Sequence, residues 1–217
     1  MSKSRPSTIA SPFACIKNLQ KQQGFSLVEV LISIVILSFG LLGMVGLQAA
    51  AIQANRDARL QSVASSLARE IAEMMRGNKQ VALATGGGGV NPYLIDVANP
   101  AGSTPLAPAT PAYCLNVGTT ACATELAVAN AQMTDWLARV DAELPGARVV
   151  ICVDTSPYDS DGLPTWGCTT GANANAVIKI GWTRAATDRS KGVALAFERA
   201  SVPSLVLPIT PGNVRVN

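Results

Sequence analysis

The 217-residue chain contains no histidine, and only 14% of its residues are charged, against 48% apolar. Globular domains usually carry about 25% charged residues. Without histidine there is no Ser-His-Asp triad, no Cys-His dyad and no imidazole-ligated metal. Aromatic residues are scarce as well, at 5%. No basic patch interleaved with aromatics is present, so nothing reads as a nucleic-acid surface. Low charge combined with high apolar content points to a membrane or exported protein of one or two domains.

The positive charge is local. Residues 1–24 hold Lys3, Arg5, Lys17 and Lys21 and no acid. Removing those four from the 17 Lys+Arg leaves 13 against 14 Asp+Glu, so the remaining chain has a formal net charge of −1. Between Glu29 and Arg56 there is no charge at all, and Val30–Leu47 reads VLISIVILSFGLLGMVGL. A membrane span needs about 20 such residues at about 1.5 Å each. A buried core helix would show a polar stripe, which this run lacks. Positive charge before the span and a large body after it place the arm in the cytoplasm and the body on the far side of the membrane. The apolar run is too long for an ordinary secretory signal peptide, and it leads into an amphipathic helix with no turn signal, which disfavours a cut beyond it.

Glu29 interrupts the apolar segment that starts at Phe25. A carboxylate within a membrane helix costs up to about 3 kcal/mol and is a functional candidate for that reason. If the chain is cut after Gly24, the new α-amino group of Phe25 is a cation at the right depth. Residues four apart are neighbours on one helix, and between two adjacent helices the Glu of one subunit meets the terminus of the next, fixing axial register. The alternative is a carboxylate that snorkels to the interface.

Gly24-Phe25-Ser26-Leu27-Val28-Glu29, preceded by a basic leader and followed by the apolar run, resembles the class III signal of type IV pilins and pseudopilins. The resemblance implies cleavage by a prepilin peptidase after Gly24, N-methylation of Phe25, and a role for Glu29 in methylation and filament assembly. The leader, with Phe13 and Cys15, is longer than that family's usual one. Farther along, Glu73-Met74-Met75-Arg76-Gly77-Asn78 is similar to the E-x-M-R-x-N signature of minor pilins of the type IV pilus modification protein PilV type. Tyr113-Cys114, the Asp135-Trp136 helix ending at Leu144-Pro145-Gly146, and the late strand with Trp182 add to that likeness.

The pattern beyond the span predicts one long helix over 25–76, about 78 Å at 1.5 Å per residue. Leu60, Ala64, Leu67, Ile71 and Met74 recur at helical spacing, widened by Val63, Ala68 and Met75, with Arg69, Glu73 and Arg76 opposite. Gly77-Asn78 supplies a stop. Gly40, Gly43 and Gly46 permit either close helix approach or local melting, or are simply tolerated as glycines of a membrane helix.

In the remainder, residues 79–111 read as a loop rich in Gly and Pro. Gly86–Gly89 are followed by no Lys, so a phosphate-binding loop is excluded. Residues 122–144 predict a helix with Leu126, Ala129, Met133, Trp136 or Leu137, and Val140 on its packing face. Arg148–Val153, Val177–Thr183 and Val193–Arg199 predict strands, the last two joined as a hairpin, and 203–217 an extended tail. Together these give an α+β fold in which a long N-terminal transmembrane and amphipathic helix packs on a small antiparallel sheet, and the resemblance implies that this is a type IV pilin-like fold. The organisation expected is a cleaved cytoplasmic leader (1–24), a helical spine (25–76) and a periplasmic head (77–217).

With Cys15 in the leader, Cys114, Cys122, Cys152 and Cys168 form an even set in an exported domain, and two disulfides are expected. Sequence proximity favours Cys114–Cys122 and Cys152–Cys168. The C-x2–4-C spacing of a four-thiolate zinc site is absent. The acidic stretch Asp154–Gly162 resembles a fragment of a calcium loop but lacks the terminal bidentate Glu, and a turn is the preferred reading.

The resemblance implies a non-enzymatic minor pilin that needs no cofactor and no metal. Before assembly it is a single-pass protein of the inner membrane; afterwards it lies in the pilus filament at the cell surface. It would help to start assembly near the tip, supporting twitching motility, adhesion or DNA uptake. The partners implied are prepilin peptidase, other minor pilins, the major pilin, the inner-membrane assembly platform, a tip adhesin and membrane lipid. The other readings are a type II secretion pseudopilin and a membrane-tethered ligand-binding module or enzyme.

Overall fold

In the computed structural model the described residues are 24–84, 91–99, 105–171, 174–185, 197–198 and 200–210. The leader with Cys15, the glycine run 86–89, most of the predicted strand 193–199 and the last seven residues lie outside them. The chain divides into two compact units, Met1–Ala50 and Ala51–Asn217. Helix α1 (Leu27–Gly77, 51 residues) contributes to both.

In the second unit the packing face of α1 follows the 3.6-residue period. Leu60, Ala64, Leu67, Ala68, Ile71, Ala72 and Met75 are buried, whereas Arg69, Glu73 and Arg76 are exposed. Met74, placed on the packing face by the sequence, is only half-buried, and Ala72 takes the deeper position. A short helix, α2 (Lys79–Ala82), follows at once. Helix α3 (Glu125–Glu143) begins where the Thr124 hydroxyl accepts the amide of Ala127 at 3.1 Å, satisfying one of the free donors of the first turn. It ends before Pro145-Gly146, where Gly146 has φ +59°. Ala129, Met133, Trp136, Leu137 and Val140 are buried as the pattern requires. Leu126 is not, because it lies in the first turn, beyond the reach of the core.

The sheet is antiparallel throughout, in the order β1 (Ile95–Ala98), β2 (Arg148–Asp154), β3 (Asn175–Gly181), then β6 (Leu205–Ile209). A separate pair joins β4 (Arg184–Ala185) to β5 (Phe197–Glu198). Three expectations need correction. The stretch 79–111 contains α2 and β1 rather than loop alone, the extended tail contains β6, and β3 pairs with β2 and β6 rather than in a hairpin with 193–199, of which the described residues Phe197–Glu198 pair with β4. Strand β6 escapes a sequence reading because Pro208 lies in it, opposite Val177. Proline cannot donate to a ladder, and β6 tolerates it as an edge strand that, among the described residues, pairs only with β3.

One cluster ties the second unit together. Ala64, Leu67, Ile71 and Met75 of α1 meet Met133, Trp136 and Val140 of α3, and Val149, Ile151, Ile178 and Ile180 of the sheet. The indole of Trp136 donates to the carbonyl of Leu67 at 3.0 Å. Arg139 grips both carboxylate oxygens of Glu70 across the same helix pair, and that hydrogen bond is the main reason its guanidinium pKa is raised. Tyr93 is buried with its hydroxyl donating to Gln132 at 2.5 Å. Burial pushes its phenol up to about 12, with a hydrogen bond to Asn78 acting in the opposite sense.

Candidate functional site

The first site is the beginning of α1. Gly24, Phe25 and Ser26 precede the helix, and the carbonyl of Ser26 accepts the amides of Glu29 and Val30 at 3.0 and 3.3 Å. Glu29 thus occupies the first turn, where the helix dipole favours a negative charge. Its carboxylate has no ion pair or hydrogen bond among the described residues. Phe25 is 82% exposed, and every residue from 24 to 50 is exposed, including Leu31, Ile34, Leu37, Phe39 and Leu42. Burying one such side chain is worth about 1.5–3 kcal/mol, so a surface made almost wholly of them requires an apolar surrounding. Helix α1 is long and apolar enough to cross a membrane.

Two serines within this segment are satisfied locally. The hydroxyls of Ser33 and Ser38 donate to the carbonyls of Glu29 and Ile34 at 2.8 and 2.7 Å, the usual device for a serine in an apolar helix. A methyl group added at Gly40, Gly43 or Gly46 would meet nothing within 4 Å. The fold of one chain therefore does not require glycine at these positions.

The second unit carries the four cysteines as two separate pairs. Cys114 is bonded to Cys122, with Cα atoms 5.0 Å apart, and Cys152 to Cys168, with Cα atoms 6.4 Å apart. They do not converge on a four-sulfur cluster. Potential donor atoms of Cys152, Asp154 and Cys168 do lie within 4.8 Å of one another. Both sulfurs, however, are consumed in the S–S bond, and Asp154 is engaged elsewhere. The acidic stretch is a turn: Asp159 Oδ1 accepts the amides of Asp161 and Leu163 at 3.0 and 2.8 Å, and Gly162 takes φ +78°.

What the sequence did not reveal is on the sheet face opposite the helices. Lys179 of β3 is fully buried there, with Nζ 2.6 Å from Asp154 Oδ2. Asp154 Oδ1 also accepts the amides of Ser156 and Thr169 at 2.9 and 3.0 Å. Burial acts to raise the Asp154 pKa, but the hydrogen bond from Lys179, the two amides and the ammonium charge together hold it below the usual carboxylate value. The loop after β2 covers this pair. Trp166 lies against Gly181, donates to the carbonyl of Ser201 at 3.0 Å, and carries Arg148 4.5 Å above its ring. A groove of about 420 Å³ runs beside it, but its charged groups serve each other, Arg148 pairing with Asp96 at 3.0 Å.

No curated protein and no solved structure matches the chain. Residues 19–45 match the family model for the prokaryotic N-terminal methylation motif. Gly24, Phe25, Glu29 and the first half of the exposed apolar helix all fall within that stretch. By this match the N-terminal segment is similar to that of type IV prepilins, and the α+β architecture, one long N-terminal helix with a four-stranded antiparallel sheet, is consistent with a type IV pilin-like fold.

Proposed function

We propose that the chain is a minor pilin of a type IV pilus, of the PilV type, with a structural rather than an enzymatic role. The observation that carries this reading is the methylation motif at 19–45 leading directly into an apolar, wholly exposed helical surface. Residues 1–24 are the cytoplasmic leader, 25–76 the spine, and 77–217 the periplasmic head. Prepilin peptidase hydrolyses the Gly24–Phe25 bond and methylates the new α-amino group of Phe25. The subunit waits in the inner membrane until the assembly platform draws it into a filament with other minor pilins and the major pilin.

The energetics assign different tasks to the parts of α1. Lipid tails are as apolar as leucine, so moving the helix from bilayer to filament gains little from the hydrophobic effect. Close packing supplies attraction there. The ionised Glu29, which costs up to about 3 kcal/mol unpaired in the membrane, gains most from the move if it meets the Phe25 amine of a neighbouring subunit. That difference favours the assembled state and sets register along the filament axis.

Mass spectrometry of the mature protein tests this reading. The expected N-terminal residue is N-methylated Phe25. A chain that keeps Met1, or one clipped beyond Leu47, overturns it. The same motif serves secretion pseudopilins, and a deletion that stops protein secretion while leaving piliation intact would transfer the chain to that class.

A further inference from the structure

The buried Lys179–Asp154 pair depends on a loop whose far end is tied down by one covalent link. Lys179 faces away from the helices, between Val150 and Val206 on the neighbouring strands. A cation among such neighbours needs every donor satisfied. Beyond Asp154, its ammonium donates to the carbonyl of Gly167. The amides that hold Asp154 are those of Ser156 and Thr169. All three groups that complete the pair therefore belong to the segment 155–169, and none to the sheet.

That segment is anchored near its two ends and not at its tip. Its tip closes on itself through the Asp159 turn and the Tyr158–Pro164 bridge. Tyr158 and Leu163 are exposed rather than packed. Toward its end it is held by Trp166, by the hydrogen bonds of Thr155 to Thr169, and by the Cys152–Cys168 disulfide. Cys168 is an exposed residue, which puts one end of the disulfide at the surface. The other disulfide, Cys114–Cys122, closes a loop at the start of α3 and touches none of these groups.

We propose that Cys152–Cys168 is a redox latch that keeps a lid, residues 155–167, closed over Lys179. A dithiol donor transfers two electrons and two protons to the S–S bond; Cys152 and Cys168 become thiols, and the donor becomes a disulfide. The lid then lifts, water reaches the ammonium and carboxylate, and the face of the sheet beneath becomes accessible while the helix-side core stays packed. Exchange with an oxidised disulfide, which takes up the two electrons and two protons and becomes a dithiol, re-forms the Cys152–Cys168 bond and closes it. The oxidation state of one subunit thereby decides whether this face is covered. The inference concerns the second unit alone and stands whether or not the chain enters a pilus.

Acylation of lysines by an N-hydroxysuccinimide ester, read by peptide mass spectrometry on the full chain in detergent, tests it, with exposed Lys79 as the internal reference. In the oxidised protein Lys179 should remain unmodified while Lys79 reacts. After reduction with dithiothreitol the rate at Lys179 should rise about tenfold or more, since reactivity follows the population of the open form. Amide exchange along α3 should stay slow. A C114S/C122S variant should behave like the parent, and a C152S/C168S variant should react without reductant. If that last variant fails to accumulate, reduction of the parent chain still decides the matter. Lys179 protected after both thiols have been alkylated, Lys179 equally reactive before reduction, or reactivity rising only in step with α3 exchange would each overturn the latch.

Discussion

Lys179 Nζ and Asp154 Oδ2 lie 2.6 Å apart in a part of the sheet where both side chains are 0% exposed. The two partners are not equivalent. Removing the carboxylate, in Asp154→Ala, leaves the ammonium with the Gly167 carbonyl alone, and breaking a buried pair in this way costs about 3–5 kcal/mol. Removing the ammonium, in Lys179→Met, leaves Asp154 with two backbone donors and replaces the lysine stem by a side chain of similar volume. Its loss should be clearly smaller. Denaturant unfolding of the two variants checks the order, and an equal or larger loss for Lys179→Met would show that the amides of Ser156 and Thr169 do not support the carboxylate.

The same pair predicts acid sensitivity. The Asp154 pKa is lowered from its ordinary 3.8 in the folded protein. A depressed carboxylate contributes stability that is fully present above the unfolded value and is lost as pH falls through the folded one. The Asp154 contribution should thus be constant from neutral pH to about pH 5 and decline below about pH 4. Asp154→Asn should be less stable at neutral pH yet show a shallower decline between pH 4 and pH 2. Thermal unfolding across that range measures both, and parallel curves for the two proteins would remove Asp154 from the acid response.

Gly146 and Gly162 separate backbone strain from collision. Both have positive φ, +59° and +78°. A methyl group at Gly162 would meet nothing within 4 Å, whereas one at Gly146 would fall 2.3 Å from the Thr183 hydroxyl. Thr183 is itself fixed by donating its amide to Pro145 at 2.8 Å. Gly162→Ala should lose about 1–2 kcal/mol from the left-handed backbone alone. Gly146→Ala should lose more, because the turn joining α3 to β2 must shift as well. Equal losses in chemical denaturation would mean that Thr183 rotates away freely.

Much of the architecture was legible from periodicity. The α1 face could be read because Leu60, Ala64, Leu67 and Ile71 repeat every three or four residues and the facing surface is deep enough to bury them. Strands β2 and β3 could be read from β-branched runs. Strand β1 could not, because its four residues follow a Pro- and Gly-rich stretch and only alternate residues are half-buried. At the methylation motif, Glu29 stands out because it breaks an apolar run. Lys179 did not stand out, since a lysine at an alternate position of a strand normally faces water. Only the return of the 155–169 segment, 25 residues away along the chain at Asp154, makes that position interior.

Gly24 tests the processing step without touching the fold, since it precedes α1 and an added side chain there meets nothing within 4 Å. A bulky or charged replacement should leave the leader on the chain, seen as a slower-migrating band in membrane fractions, and the protein should be missing from sheared filaments. A variant processed at the normal rate would remove Gly24 from the cleavage site.

Glu29→Ala separates membrane insertion from assembly. The change replaces the one charge near the start of an exposed apolar helix by a good helix former, so insertion should be unchanged or slightly improved. What should be lost is the proposed pairing of the carboxylate with a neighbouring Phe25 amine, an interaction absent from the isolated subunit, where Glu29 has no partner among the described residues. The protein should accumulate in the inner membrane at normal levels while its amount in filaments falls about tenfold, as expected for the loss of roughly 1.4 kcal/mol at an ion pair in a medium of low dielectric constant. Glu29→Gln distinguishes charge from shape: it keeps the length and a hydrogen-bonding oxygen but cannot attract an ammonium, and should resemble Glu29→Ala. If Glu29→Gln instead assembles like the parent, the side chain acts through hydrogen bonding alone and the register of neighbouring subunits is set by packing of the apolar surface from Leu27 to Leu47.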